Sequence, residues 1–151
     1  MKYKIFISSV QKELKDERSA VKEIITENVL LKEYFRVFLF EDSPAKGKSV
    51  KTAYLEEVRK SDIYLAILGN EYGAVSKSNL SGTEQEFREA RKTNKEVLVY
   101  IEGHNDVSRD KRMRELIREI RDEDTGFKYK RFNNVPQFKK SVYESLVDLL
   151  R

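Results

Sequence analysis

The chain has 151 residues, a length that corresponds to about one domain and suffices to bury a single core. It contains no cysteine and one histidine, which excludes a disulfide framework, a thiolate metal site and a His-rich metal centre. Its net charge is +4, and 39% of its residues are hydrophobic, a composition that favours a folded domain over a disordered chain. We therefore expect one domain over residues 1–151, without a metal, in a reducing cytoplasmic setting.

The apolar residues are not arranged for a membrane. Only three of them, residues 5–7, follow the charged N-terminus, and no segment approaches the length of a membrane span. The positive charge is concentrated in residues 108–151, which hold 12 Lys and Arg against 8 Asp and Glu. Because acidic residues are interspersed there, as at 122–124, the pattern favours a solvated face of mixed charge, and a nucleic-acid surface is the weaker alternative.

Short apolar runs of strand length alternate with helical patterns along the whole chain. The predicted strands are residues 4–8, 35–40, 63–68, 96–101 and 127–132. The predicted helices are residues 11–28, 50–60, a segment from Thr83, residues 108–121 and a segment from Asn134, with Ser49 and Ser108 as N-caps. This alternation predicts an α/β fold: a doubly wound, flavodoxin-like sheet of five parallel strands in the order 2-1-3-4-5.

The third strand and the glycine-containing segment after it form the centre of the predicted site. Gly69 and Gly73 bracket Asn70-Glu71-Tyr72, so the chain can turn sharply and a ligand can approach the backbone closely. In the order 2-1-3-4-5 the switch point lies between the first and third strands. We therefore expect residues 8–9 to face residues 69–73 across a crevice, with Glu86 beside them.

Several well-defined motifs are missing from the sequence. No Gly-x-Gly-x-x-Gly follows the first strand, and no Gly-x-x-x-x-Gly-Lys-Ser/Thr occurs, which excludes the classical dinucleotide and P-loop modes of phosphate binding. A serine triad lacks its nucleophile elbow. We expect no organic cofactor.

Two charged residues each allow two interpretations. Glu86 could be catalytic, or it could close a capping box with Thr83 at the start of its helix. Arg18 lies on the apolar stripe of the first helix, where it either packs its stem and extends its charge to water or directs a guanidinium inward at an anion.

Three segments carry a resemblance to a known superfamily. KIFISSVQKELKDER, YLEEVRKSDIYLAILGNEYG and TEQEFREA together resemble a prokaryotic Toll/interleukin-receptor (TIR)-like domain of unknown function, often found ahead of Alba-type or helix-turn-helix modules. The chain is also similar to nucleoside deoxyribosyltransferases. In their motif Gly-Thr-x-x-Glu, with alanine four residues later, the glutamate is the nucleophile; Gly82, Thr83, Glu86 and Ala90 match it. Tyr72 with Glu86 fits the layout of TIR NAD hydrolases.

The resemblance implies a nucleotide-handling domain that cleaves an N-glycosidic bond of NAD or a nucleoside, with NAD as a substrate and not a cofactor. Glu86 is then the catalytic residue. The expected substrate-binding residues are Ser8, Ser9, Asp42, Gly69, Asn70, Tyr72, Gly73 and Thr83. The alternative is a non-catalytic signalling, protein-interaction or ligand-sensing module, which would account for Arg88 where the deoxyribosyltransferase motif has glycine.

TIR-like domains commonly self-associate, and the sequence offers two surfaces for it. The loop at residues 41–48 is charged, and the helix at 108–121 is predicted to expose a row of cations that includes Arg109. Exposed ion pairs are weak and screened by salt, so we expect a monomer or a loose dimer.

Overall fold

A computed structural model of the chain describes residues 1–45 and 47–151; Lys46, within the predicted loop at 41–48, lies outside the described residues. The described residues form five strands and six α-helices. The strands are β1 (Tyr3–Ser8), β2 (Phe35–Phe38), β3 (Ile63–Leu68), β4 (Glu96–Glu102) and β5 (Tyr129–Phe132). The helices are α1 (Lys15–Glu27), α2 (Leu31–Tyr34), α3 (Val50–Lys60), α4 (Gly82–Lys92), α5 (Lys111–Ile120) and α6 (Val135–Leu149).

The five strands form one parallel sheet in the order β2-β1-β3-β4-β5, which confirms the predicted fold class. β1 and β3 are neighbours, and Ser8 is in register with Ala66. The chain after β1 runs to a helix on one face of the sheet, whereas the chain after β3 runs to a helix on the other. The predicted switch point is therefore present at the carboxyl ends of these two strands.

Alternate residues of the central strands enter separate cores on the two faces of the sheet. Ile63, Leu65 and Ile67 of β3 join the core beneath α1, α2 and α6. Tyr64, Ala66 and Leu68 join the core beneath α3, α4 and α5. All six residues of β3 are buried, as expected for a parallel strand covered by helices on both sides.

Several element boundaries differ from the predicted ones. Residues 11–14 form a hydrogen-bonded turn that precedes α1, in which the amide of Leu14 donates to the carbonyl of Val10 at 3.1 Å. β2 ends at Phe38, and a short 3-10 helix, Phe40–Asp42, replaces its predicted end. Helix α2 was not predicted, because four residues are too few to show a helical period.

The helix caps are partly as predicted. Ser49 caps α3 by accepting a hydrogen bond from the amide of Thr52, and Asn134 caps α6 through the amide of Gln137. The cap of α5 is Asp110, not Ser108, whose hydroxyl donates to the carbonyl of Asn105. Either type of side chain can serve as a cap, so the choice between neighbours depends on the path of the incoming loop.

Candidate active site

Helix α4 presents Glu86 in a way that the capping-box interpretation does not allow. The helix begins at Gly82, and its N-cap is Ser81, whose Oγ accepts a hydrogen bond from the amide of Glu84 at 3.2 Å. The carboxylate in the third helical position is therefore that of Glu84. Glu86 is the fifth residue of α4, two positions beyond Glu84, so its side chain does not cap the helix. The capping-box interpretation of Glu86 is therefore wrong.

The carboxylate of Glu86 contacts the end of β1. The hydroxyl of Ser8 donates a hydrogen bond of 2.6 Å to Oε1 of Glu86. Burial raises the pKa of Glu86 to about 7. The Ser8 hydrogen bond and the charge of Arg18 act in the opposite direction, and the charge of Glu41 adds to the effect of burial. Glu86 is thus a carboxyl group that titrates near neutral pH.

A cavity of about 470 Å³ opens onto Glu86 at the carboxyl edge of the sheet. Its walls come from the segments that follow β1, β2 and β3 and from the first two turns of α3 and α4. The lining residues besides Glu86 are Ser9, Val10, Gln11, Phe40, Val50, Tyr54, Tyr72, Gly73, Ala74, Ser81, Gly82 and Thr83. This volume is sufficient for a small organic ligand, and Glu86 is the one ionisable carboxylate among the described residues that line it.

Two tyrosines near Glu86 have hydroxyl groups that are hydrogen-bonded to other groups of the protein. The Tyr72 hydroxyl donates to Oε1 of Glu84 at 2.8 Å and accepts from the amide of Ser81 at 3.2 Å. The buried Tyr64 hydroxyl donates to the carbonyl of Thr83 at 3.4 Å. Burial, and after it the charge of Glu86, raises the pKa of Tyr64 well above its usual value. These tyrosines fix the start of α4 on the sheet.

The guanidinium of Arg18 points inward, as one of its two interpretations predicted. Its partners are groups of the protein itself. Only 2% of the residue is exposed. Its Nε and Nη2 donate to both carboxylate oxygens of Glu41 at 2.7 and 2.6 Å, and its Nη1 donates to Oγ of Ser9 at 2.9 Å. Arg18 therefore connects α1 to two walls of the cavity, since Ser9 lines it directly and Glu41 follows the lining residue Phe40.

The predicted binding residues at the end of β3 are divided between two places. Tyr72 and Gly73 line the cavity, and a Cβ on Gly73 would lie 3.3 Å from a methyl group of Val10. Gly69 and Asn70 do not line it. Instead, the Glu13 carboxylate accepts hydrogen bonds from the amides of Asn70 and Glu71 at 2.7 and 3.2 Å. A Cβ on Gly69 would lie 2.7 Å from that carboxylate, so glycine is required for this close approach.

The other predicted site residues are also divided between the cavity and places outside it. Ser8 contacts Glu86, and Ser9 and Thr83 line the cavity. Asp42 does not line it and pairs with Lys22 at 2.9 Å on the exposed surface. Arg88 points away from the cavity and binds Glu84 and a residue of α5, so it takes no space from a ligand beside Glu86.

Two residues near the site were not predicted from the sequence. Glu13 gave no signal, because a carboxylate in a polar turn resembles any exposed charge. Arg109 was assigned to the exposed row of cations, and this is wrong: the residue is 4% exposed and donates to the carbonyl of Gly69 at 2.9 Å. Lys111, Arg118 and Arg121 of the predicted row are exposed. Weak self-association stays a prediction.

A larger cavity of about 570 Å³ lies elsewhere. It is lined by residues of β4, β5 and α6. These include Glu96, which is at the amino end of β4. Open α/β sheets hold their ligands at the carboxyl ends of the strands. We therefore assign the candidate site to the cavity at Glu86.

The family described as Domain of unknown function (DUF4062) matches residues 4–147. The chain belongs to the DUF4062 family. This DUF4062 domain has no match among curated proteins. Its fold is similar to that of the solved structure of Clostridium botulinum CMP N-glycosidase, BcmB, with a TM-score of 0.59 and 12% sequence identity over 94% of this chain and 98% of that chain. At this identity the likeness establishes the fold alone.

The described residues of the DUF4062 domain contain no cluster of three or more His, Asp or Glu side chains that could hold a metal ion. Within the same residues, no helix is both long and apolar enough to cross a membrane.

Proposed function

We propose that this domain cleaves the N-glycosidic bond of a nucleoside or nucleotide and that Glu86 acts on the anomeric carbon. The observation that carries the proposal is the placement of the Glu86 carboxylate: it faces a ligand-sized cavity and is held by Ser8. Helix capping by Ser81 leaves this carboxylate free for chemistry.

The proposed role follows from the charge that develops during the reaction. As the base departs, positive charge builds on the ribose, and a carboxylate beneath the anomeric carbon stabilises it or traps the sugar as an ester. The ionised form of Glu86 is the active one. With a pKa of about 7, a substantial fraction of Glu86 is ionised at neutral pH, and the Ser8 hydrogen bond favours that form.

Two further lines of support come from likeness to other proteins. The structural neighbour is described as a CMP N-glycosidase, which makes cytidine nucleotides reasonable candidate substrates. The Gly82-Thr83-x-x-Glu86 pattern resembles the nucleophile motif of nucleoside deoxyribosyltransferases, and the resemblance to TIR domains adds NAD as a candidate substrate. Within the cavity, Ser9, Tyr72, Gly73 and Thr83 are the predicted binding residues in reach of a ligand.

The test incubates the protein with a panel of cytidine, CMP, adenosine, guanosine, their 2′-deoxy forms and NAD. Chromatography measures the release of free base from each compound. We expect the wild-type protein to release base from at least one of them and Glu86→Gln to lose at least about 10³-fold in kcat, since amide cannot replace a nucleophilic carboxylate.

Glu89→Gln is the matched control, because it makes the same change on the same helix. The Glu89 side chain pairs with Arg59 at 3.3 Å, does not line the cavity and should leave base release unchanged. No base release from any member of the panel, or equal release by wild type and Glu86→Gln, would contradict the proposal. Saturable binding without turnover would instead support the ligand-sensing alternative.

A further inference from the structure

One lining residue has a hydroxyl group that the proposed role of Glu86 does not use. Tyr54 lies on the second turn of α3, and its ring packs edge-on against Phe40 at 6.0 Å between centroids. Both residues line the cavity at Glu86. Tyr54 is partly exposed and forms part of the cavity wall.

Contacts with α4 locate this hydroxyl. It lies 4.0 Å from the position that a Cβ would occupy on Gly82. Gly82 is four residues before Glu86, and residues at this spacing share one face of a helix. Tyr54 therefore faces the same side of α4 as Glu86. The electrostatic effect of Glu86 on Tyr54 is consistent with this proximity, since burial and then that charge raise the pKa of Tyr54.

The hydroxyl of Tyr54 differs from those of the other two tyrosines. Tyr72 and Tyr64 both bond to protein groups at the start of α4. Tyr54 has no hydrogen-bond partner among the residues that the structure describes. A phenol that keeps its proton at neutral pH and has no protein acceptor is a donor available to a ligand.

We propose, resting on the N-glycosidase function proposed for Glu86, that Tyr54 is a catalytic residue that donates its proton to the departing base. The bond between the anomeric carbon and the base nitrogen breaks, and its electron pair stays on the base. The Tyr54 proton moves to the base, while a carboxylate oxygen of Glu86 bonds to the anomeric carbon. Water then displaces Glu86 as a carboxylate, and the proton that water releases returns to the Tyr54 oxygen.

The chemistry predicts a dependence on the leaving group. A neutral nucleoside releases an anionic base unless a proton is supplied, whereas 4-nitrophenolate and 7-methylguanine leave without one. Tyr54→Phe removes only the hydroxyl and keeps the ring against Phe40. We expect this variant to lose about 10² to 10⁴-fold in kcat on guanosine or cytidine, the usual contribution of a general acid.

The same variant should keep its wild-type kcat on 4-nitrophenyl β-D-ribofuranoside. It should also do so on 7-methylguanosine, the second substrate whose leaving group needs no proton. Tyr72→Phe is the control, because it breaks the contacts of Tyr72 with Glu84 and Ser81 and should affect both classes of substrate alike. Melting temperatures of both variants report on folding.

The outcomes separate the two proposals. If the wild type cleaves nucleosides and Tyr54→Phe changes both classes of substrate equally or not at all, the role of Tyr54 is overturned while that of Glu86 stands. Cleavage of NAD alone also overturns it, because nicotinamide leaves NAD without a proton. If the wild type cleaves nothing, both proposals fail together.

Discussion

Ser8 and Glu86 lie 78 residues apart in the chain and are joined by a hydrogen bond of 2.6 Å at the carboxyl edge of the sheet. The bond links the end of β1 to helix α4, across the position where β1 and β3 are neighbours. It holds a carboxylate at the wall of a cavity and favours the ionised state of a group that burial makes hard to ionise.

The first prediction concerns Ser8→Ala. Loss of the hydroxyl removes an interaction that lowers the pKa of Glu86, so the pKa should rise from about 7 to a higher value. The acidic limb of the pH profile of kcat/KM should move to higher pH by the same amount, because the ionised carboxylate is the active form. Ser145→Ala on α6 is the control and should leave the limb in place; a limb that also stays in place in Ser8→Ala would contradict the assignment to Glu86.

Glu86→Gln should change stability in a pH-dependent way. The folded protein keeps the Glu86 proton up to about pH 7, whereas the unfolded chain releases it near 4.5. The free energy of unfolding of wild type therefore falls, relative to that of the variant, as the pH rises from about 4.5 to about 7, and the difference then stays constant. We expect the variant to be more stable by about 1 to 3 kcal/mol at pH 8. Urea unfolding at pH 4.5 and pH 8 measures this; a difference that does not depend on pH would contradict a raised pKa.

The Arg18 and Glu41 pair should stabilise the cavity walls. Burial acts to raise the pKa of Glu41, but the hydrogen bonds and charge of Arg18, together with a backbone hydrogen bond, outweigh it and the pKa is lowered. Glu41→Gln should cost about 1 kcal/mol at neutral pH, a modest value because Glu41 is partly exposed to solvent. This cost should disappear as the pH falls through the folded-state pKa of Glu41, which lies below 4.5.

Asp42→Asn is the matched control for Glu41→Gln. Asp42 is the next residue, and its pair with Lys22 is exposed on both sides, so the substitution should cost less than about 0.5 kcal/mol. Chemical denaturation of both variants at pH 7 gives the comparison. Equal losses of stability in the two variants would mean that the paired hydrogen bonds from the buried Arg18 guanidinium do not stabilise the fold.

Gly69→Ala tests the contact with Glu13. The new Cβ would lie 2.7 Å from the carboxylate, which must move and lose its bonds to the amides of Asn70 and Glu71. We expect a loss of about 1 to 2 kcal/mol. In a Glu13→Ala background the same substitution should cost less, because no carboxylate remains to be displaced. Additive costs in the double variant would show that Gly69 is needed for another reason.

The pattern of the sequence was sufficient for the architecture. The apolar run at 63–68 is buried throughout, and the run at 96–101 is buried at residues 99–101. Helix-length segments separate such runs along the chain, and parallel strands with right-handed crossovers are the arrangement that accommodates both features. The strand order followed, and with it the meeting of the segments after β1 and β3. Glu86 could be selected as a candidate because its motif is local, with Gly82 and Thr83 within five residues of it.

Tertiary structure decided which polar groups are free and which are used. Sequence spacing allowed Glu86 to cap its own helix, but the loop before α4 brings Ser81 to the N-cap and turns Glu86 toward Ser8. Glu13 takes the amides at the end of β3, and Arg109 is buried beside Gly69, although both resemble surface charges in the sequence. Hydrogen bonds between residues far apart in the chain depend on distances that only folding sets, because a local pattern specifies a helix face and not the partner that the face meets.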